Sequence, residues 1–217
     1  MKVIMTGGGT GGHIYPAIAI ADEIKKRFPD AEILFVGAKR GLEKTLVPDN
    51  GYPIKLIPVQ GFNRKNPLKN VEVLRDLKQG NKLSKQILKE FQPDVVIGTG
   101  GYASAPVVKM AQKMHIPTYI HEQNAFPGVT NKMLEKHVEK VFLGFEEGSE
   151  YFRFPEKHVA TGNPVRKSFY GMDREQARKD LGFRKKDFVL LAFGGSQGAG
   201  RRRGGSGRAS LRRGSRR

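Results

Sequence analysis

Val3-Ile4-Met5-Thr6-Gly7-Gly8-Gly9-Thr10-Gly11-Gly12-His13 is the stretch that decides how the chain is read. Val3–Thr6 predicts a strand that runs into a glycine-rich turn. Ile14, Ala17, Ile18, Ala21, Ile24 and Phe28 then recur at helical spacing until Pro29-Asp30 ends the helix. Glycines without a Cβ let backbone N–H groups close on a ligand, and the helix that follows offers its positive N-terminal end. That is the layout of a phosphate or diphosphate cradle. His13 stands at its exit, where an imidazole can take a proton near neutral pH. A lone histidine is more often a cap or a core residue, but its place at the junction of glycine loop and helix favours chemistry.

Outward from this stretch, strand-like and helix-like segments alternate, which predicts an α/β fold with a parallel, Rossmann-like sheet. Further strands are expected at 33–36, 52–57, 95–97, 118–121, 141–143, 159–161 and 188–193. Helices are expected over 68–91, with a weak point at Gly80-Asn81, and over 104–114, 127–137 and 173–181. Strand-into-glycine occurs after residues 6, 97 and 193, and ligands of open α/β sheets sit at those carboxyl ends. Gly7–Gly12 also contains Gly-x-Gly-x-x-Gly, which alone is a weak dinucleotide signal. The second strand ends in Val36-Gly37-Ala38-Lys39-Arg40, without the acid that would hold a ribose. Lys39 and Arg40 suit a 2′-phosphate, so an NADP-dependent oxidoreductase stays as an alternative. The five glycines exceed what a tight turn needs, which favours a bound ligand over a bare connection.

The apolar content of 38% supports a packed core, and the longest apolar runs fall far short of a membrane span. No secretory signal is expected at the start. The absence of cysteine excludes disulfides and thiolate nucleophiles and is compatible with a cytoplasmic location. His115, His121, His137 and His158 show no metal-ligand spacing, so no metal is expected, and no cofactor is expected outside the NADP alternative. Of the formal charge of +18, residues 200–217 supply +8, all of it arginine. The remaining +10 is spread over a lysine-rich body and suits anionic ligands or an anionic membrane surface.

Six motifs occur in a fixed order: Gly8-Gly9-Thr10-Gly11-Gly12-His13 with Pro16-Ala17; Gly100-Gly101-Tyr102-Ala103-Ser104-Ala105-Pro106; His121-Glu122-Gln123-Asn124-Ala125; Pro127-Gly128 with Asn131-Lys132; Thr161-Gly162-Asn163-Pro164-Val165-Arg166; and Gly194-Gly195-Ser196-Gln197-Gly198-Ala199. Over residues 1–199 the chain resembles the N-terminal half of the bacterial UDP-N-acetylglucosamine–lipid I N-acetylglucosaminyltransferase family of peptidoglycan synthesis. The resemblance implies a GT-B glycosyltransferase, with an acceptor domain over 1–164 and the start of a donor domain over 165–199. It implies a polyprenyl-diphosphate-linked muramoyl-peptide acceptor whose 4-hydroxyl attacks N-acetylglucosamine of UDP-N-acetylglucosamine with inversion. No metal is implied, so amides and basic side chains must neutralise the leaving diphosphate.

Residue by residue, the resemblance makes His13 the general base. It makes Thr10, Gly11 and Gly12 cleft residues that touch the donor, with neighbouring glycine amides cradling the acceptor diphosphate. Asn124 is matched to a sugar-contacting asparagine, with a helix N-cap as the competing reading. Arg166 and Ser196 are matched to donor contacts. Tyr102, Ser104 and Glu122 are read as structural, a carboxylate at a strand end being more often a cap or solvated. Peripheral contact with the cytoplasmic face of the membrane is implied, and no specific nucleic acid. For that contact, Phe62, Leu68, Val71 and Leu74 with Arg64, Lys65, Lys69 and Arg75 offer an apolar patch in a basic rim. The competing reading packs Val71 and Leu74 into the core.

After Ala199 the family pattern stops, and residues 200–217 are almost wholly Arg, Gly and Ser. The reading favoured here is a reading-frame error or abnormal gene end, giving a tail without structure and a chain of weak or no turnover. The alternative is a disordered tail that binds RNA or membrane by counterion release. A basic phosphate-binding module without turnover is the non-enzyme alternative for the whole chain.

Overall fold

The structure, a computed structural model, describes residues 1–61, 70–166, 169–192 and 210–214. It divides into two units, Met1–Arg166 and Lys167–Arg217. The first is built on seven parallel strands: β1 Lys2–Thr6, β2 Glu32–Ala38, β3 Ile54–Ile57, β4 Val95–Gly98, β5 Thr118–Glu122, β6 Lys140–Leu143 and β7 His158–Ala160. Parallel neighbours need crossover segments. These are α1 Gly11–Arg27, α2 Glu43–Asp49, α3 Asn70–Phe91, α4 Ser104–Lys113 and α5 Val129–Leu134, with 3-10 turns at Glu135–His137, Glu146–Tyr151 and Pro155–Lys157.

The strand order is β3-β2-β1-β4-β5-β6-β7. The chain therefore winds from β1 to β3 in one direction, then returns to lay β4 on the other side of β1. The crevice at such a reversal, outside the carboxyl ends of the strands, is where these sheets bind ligands. Both faces of β1 are covered, so Val3, Ile4 and Met5 are all fully buried. Ile4, Val96, Ile120 and Val141 pack with Val107, Val108 and Ala111 of α4. Val3, Met5, Ile33 and Phe35 pack on the other face with Ile14, Ala17, Ile18 and Ala21 of α1.

The weak point at Gly80 and the competing reading that packs Val71 and Leu74 into the core need correction, and one helix goes beyond the expectations. α3 runs unbroken through Gly80, which is buried where a Cβ would press within about 2.9 Å of Pro58 O, so the glycine admits a neighbouring backbone. Val71 and Leu74 are exposed, at 72% and 56%, while Val73 takes the core position. α2 was not anticipated: it has only seven residues, one of them Pro48, and little periodicity.

The turns after β1 and β4 touch directly. Thr99 N donates to Thr6 O at 2.8 Å and Gly8 N to Gly100 O at 3.3 Å. Gly100 and Gly101 have φ of +97° and +82°, and a Cβ on Gly101 would lie 2.2 Å from Gly8 O.

In the second unit, Asp173 caps α6 (Arg174–Asp180) by accepting from Glu175 N at 2.7 Å and Gln176 N at 3.3 Å. β8, Phe188–Ala192, pairs antiparallel with β9, Ser210–Gly214. β9 lies within the stretch expected to lack structure; the unpaired edge of β8 offers it a row of hydrogen-bonding groups. Phe188 and Leu190 remain exposed.

Gly101→Ala is expected to lower the unfolding free energy by more than the about 1–3 kcal/mol that a left-handed residue costs alone. Gly51→Ala, at φ +83° in open space, is the control that carries the backbone cost without the clash. Urea unfolding of both variants measures the difference.

Candidate active site

Three turns meet at the reversal between β1 and β4, and each contributes differently. Thr10 is the N-cap of α1, with φ −140° and ψ 156°, and its side chain makes no capping hydrogen bond. The first turn holds no acid, whereas Lys25, Lys26 and Arg27 fill the last. The N-terminal amides of α1 therefore lack a side-chain cap, and the helix dipole there favours an anion. Gly12 is exposed, Thr10 and His13 are half-buried, and Gly11 is buried.

The other glycines of the loop answer to the protein itself. A Cβ on Gly7 would meet Thr99 Oγ1, and one on Gly8 would meet the Glu43 carboxylate. Gly9 has φ +85°. Glu43 is fully buried and accepts from Gly9 N at 2.9 Å and Ala38 N at 2.7 Å. This corrects one expectation: the amides of Gly8 and Gly9 are engaged by Gly100 O and Glu43, so they cannot cradle a diphosphate without being released. At the start of α1, His13 N and Ile14 N donate to Thr10 O at 3.1 and 3.2 Å, so the helix end that favours an anion is presented by Gly11 and Gly12.

His13 packs against the second glycine turn, where a Cβ on Gly100 would lie 3.0 Å from its ring. Thr99 Oγ1 donates to His13 O at 2.8 Å, and Ser104 Oγ lies 2.8 Å from Gly100 O and 2.9 Å from Thr6 O. His13 Nδ1 is 3.0 Å from Gln123 Oε1, in the turn after β5. Gln123 Nε2 reaches His121 Nδ1 at 2.9 Å and His121 O at 3.1 Å, and His121 Nε2 lies 3.1 Å from Gly162 O. Asn163 Nδ2 donates to Gln123 O at 3.2 Å. The turn after β7 thereby secures the turn after β5.

Glu122 is buried rather than solvated. Its oxygens accept from Asn124 N and Nδ2, Gly128 N and Asn131 Nδ2, at 2.9–3.1 Å. Asn124 is exposed and is not a helix N-cap, because Gly128 holds that position for α5. Asn131 Oδ1 is buried with no partner among the described residues. Arg166 stacks its guanidinium 4.3 Å from the Tyr15 ring centroid, two residues along α1 from His13. His13, Thr10, Gly12, Asn124 and Arg166 thus belong to turns or helix starts of the first unit, whereas Ser196 lies outside the described residues, as do Phe62, Arg64, Lys65, Leu68 and Lys69. Sequence reasoning missed Glu43, Gln123 and Asn131 as parts of the site. For the last two, their place in repeated family motifs was the available signal.

Residues 3–143 match the family model described as the glycosyltransferase family 28 N-terminal domain. The chain belongs to glycosyltransferase family 28. It is 52% identical over 199 residues to the UDP-N-acetylglucosamine--N-acetylmuramyl-(pentapeptide) pyrophosphoryl-undecaprenol N-acetylglucosamine transferase of Acetivibrio thermocellus, covering 92% of this chain and 54% of that protein. The protein of the same description from Clostridioides difficile is 50% identical over 203 residues, covering 92% and 49%. The chain thus spans about half the length of the relatives it matches. Among solved structures, Acinetobacter baumannii MurG aligns with a TM-score of 0.64 at 28% identity, over 76% of this chain and 46% of that one. The UDP-GlcNAc 2-epimerase of Neisseria meningitidis aligns at 0.59 and 13% identity, over 86% and 56%, a likeness of fold alone. The fold is that of a GT-B N-terminal domain. Family 28 membership sets aside the oxidoreductase alternative.

Burial holds the His121 imidazole below its ordinary value of 6.5, opposed by the Gly162 carbonyl and the Glu122 charge. The folded protein then binds fewer protons at this site than the unfolded chain. Its contribution to stability is full above the ordinary value and is lost as pH falls through it toward the lower folded value. Urea midpoints measured from about pH 7.5 down to about pH 5.5 should fall more steeply in the wild type than in His121→Gln, where no such group titrates.

Proposed function

We propose that this chain is the acceptor-binding half of an inverting N-acetylglucosaminyltransferase that converts lipid I to lipid II. The observation that carries the reading is the half-buried His13 imidazole beside the uncapped N-terminus of α1, at the sheet's reversal point. An imidazole next to an anion-favouring helix end suits a substrate that carries a diphosphate close to the hydroxyl to be activated. The names of the relatives agree: each is described as a transferase of N-acetylglucosamine to an N-acetylmuramyl-peptide pyrophosphoryl-undecaprenol.

In this reading the Gly11 and Gly12 amides of α1, with Gly12 the exposed one, take the acceptor diphosphate. His13 Nε2 takes the proton of the muramoyl 4-hydroxyl as that oxygen attacks the anomeric carbon of UDP-N-acetylglucosamine. The bond from that carbon to the phosphate oxygen breaks with inversion, and UDP leaves. Thr10, Gly11 and Gly12 line the cleft and touch the donor as well. Asn124 offers its Oδ1 to a sugar, since its Nδ2 is held by Glu122. Arg166 and Ser196 are donor contacts.

Residues 1–164 form the acceptor domain and 165–199 begin the donor domain. The acceptor's polyprenyl chain calls for peripheral contact with the cytoplasmic face of the membrane. Exposed Val71 and Leu74, with exposed Arg75 and Lys78 on the same helix, supply apolar and cationic groups for it.

A chimaera of residues 1–199 with the C-terminal half of the Acetivibrio thermocellus relative tests the chemistry. His13→Asn should lower transfer to lipid I by about 10²–10⁴-fold, with the affinity for a short-chain lipid I analogue nearly unchanged. Undiminished transfer contradicts the assignment. For the membrane contact, co-sedimentation of the 217-residue chain with anionic vesicles should weaken in Leu74→Glu and at raised salt. Binding indifferent to both contradicts it.

A further inference from the structure

His13 can act as a base only through a ring nitrogen that carries a lone pair facing substrate, so its tautomer matters. Three polar groups in series bear on it, the Gln123 amide, the His121 ring and the Gly162 carbonyl, and the two backbone carbonyls that take part, those of Gly162 and His121, can only accept. Gly162 O lies 3.1 Å from His121 Nε2, so that nitrogen carries the hydrogen and His121 Nδ1, in the neutral ring, bears the lone pair. His121 Nδ1 and His121 O both face the same end of the Gln123 amide, at 2.9 and 3.1 Å. That end is therefore the NH₂ group, because the reverse orientation would set the amide oxygen against a carbonyl oxygen. The other end, Oε1, then faces His13 Nδ1 at 3.0 Å and can only accept. His13 must carry its hydrogen on Nδ1. Its Nε2 is left as the lone-pair nitrogen, with no protein partner among the described residues.

We infer that Gln123 is a positioning residue which, through His121 and the Gly162 carbonyl, holds His13 in the Nδ1–H form that leaves Nε2 free to accept a proton. The inference deepens the reading of His13 as general base and rests on it. When Nε2 takes the acceptor's proton, the Nδ1–H···Oε1 bond remains in place and becomes charge-assisted, so the relay supports both protonation states of the ring. Its anchors are backbone carbonyls of β5 and of the turn after β7. Gln123 O is held by Asn163, and His121 O also accepts from Asn131 Nδ2 at 3.2 Å. Gln123 and His121 are buried, so water does not compete for the bonds between them.

The test is the tautomer itself, read by long-range proton–nitrogen correlation spectra of the ¹⁵N-histidine-labelled 217-residue protein. In the wild type, His13 should be in the Nδ1–H form, opposite to the Nε2–H form that free imidazole side chains prefer in water. Gln123→Met keeps the side-chain length but offers no acceptor. It should shift the ratio of the two forms toward Nε2–H by about tenfold, the bias of one net hydrogen bond. Gln123→Glu still accepts from Nδ1–H and should retain that form. A wild-type His13 in the Nε2–H form overturns the inference, as does an Nδ1–H form that persists in Gln123→Met. If Gln123→Met does not fold, the wild-type and Gln123→Glu spectra decide alone. The chimaera separates the two claims. Loss of transfer in His13→Asn with a tautomer indifferent to Gln123 overturns the relay and leaves the base standing. The predicted tautomer with undiminished transfer supports the relay as a device that fixes the ring and overturns the base.

Discussion

Two backbone turns, one after β1 and one after β4, come so close that no side chain fits between them. Gly7 abuts the Thr99 hydroxyl, Gly101 abuts the Gly8 carbonyl, and Gly8 N donates to Gly100 O. The approach fixes where α1 begins, because its N-cap Thr10 follows directly from the first turn. It also fixes the imidazole of His13, whose ring fills the space a Cβ on Gly100 would claim. A packed interior tolerates little displacement, so a bulkier residue at any of these glycines moves the helix start or the ring.

Most polar groups around this junction are paired, Asn131 Oδ1 being an exception. Glu43 and Glu122 are both buried carboxylates. Among the described residues neither pairs with a lysine or arginine; each is matched instead by N–H donors, which is how a buried charge avoids most of its desolvation cost. Glu43 ties the first turn to the end of β2, while Glu122 ties the end of β5 to α5. Between them the His13–Gln123–His121–Gly162 series links the turns after β1, β5 and β7. The uncapped amides of α1 stand out against this background of paired groups.

The alternation of strands and helices was legible in the sequence because buried parallel strands such as Val3–Thr6 and Val95–Ile97 are short apolar runs ending at glycine. His13 was legible as a candidate base from its place at a loop–helix junction. The purpose of most glycines was not. Gly7 and Gly8 read as ligand-contacting, yet they make room for Thr99 and Glu43, partners 92 and 35 residues away in the chain that no local pattern reveals. Gly80 read as a weak point in α3 for the same reason, since the backbone at Pro58 that it admits belongs to a different segment. The sequence around Gln123 carries no sign of its place between two imidazoles, because its two neighbours, His13 and His121, meet only once the sheet has formed. Val71 and Leu74 illustrate the limit of periodicity: their spacing fits a helix, but only the packing shows that Val73 turns inward.

A structure of the protein bound to a short-chain lipid I analogue tests the account most directly. The account predicts the muramoyl 4-hydroxyl within hydrogen-bond reach of His13 Nε2, about 2.6–3.2 Å, with the diphosphate against the Gly11 and Gly12 amides of α1. A diphosphate bound elsewhere, or a 4-hydroxyl facing a different side chain, would contradict it.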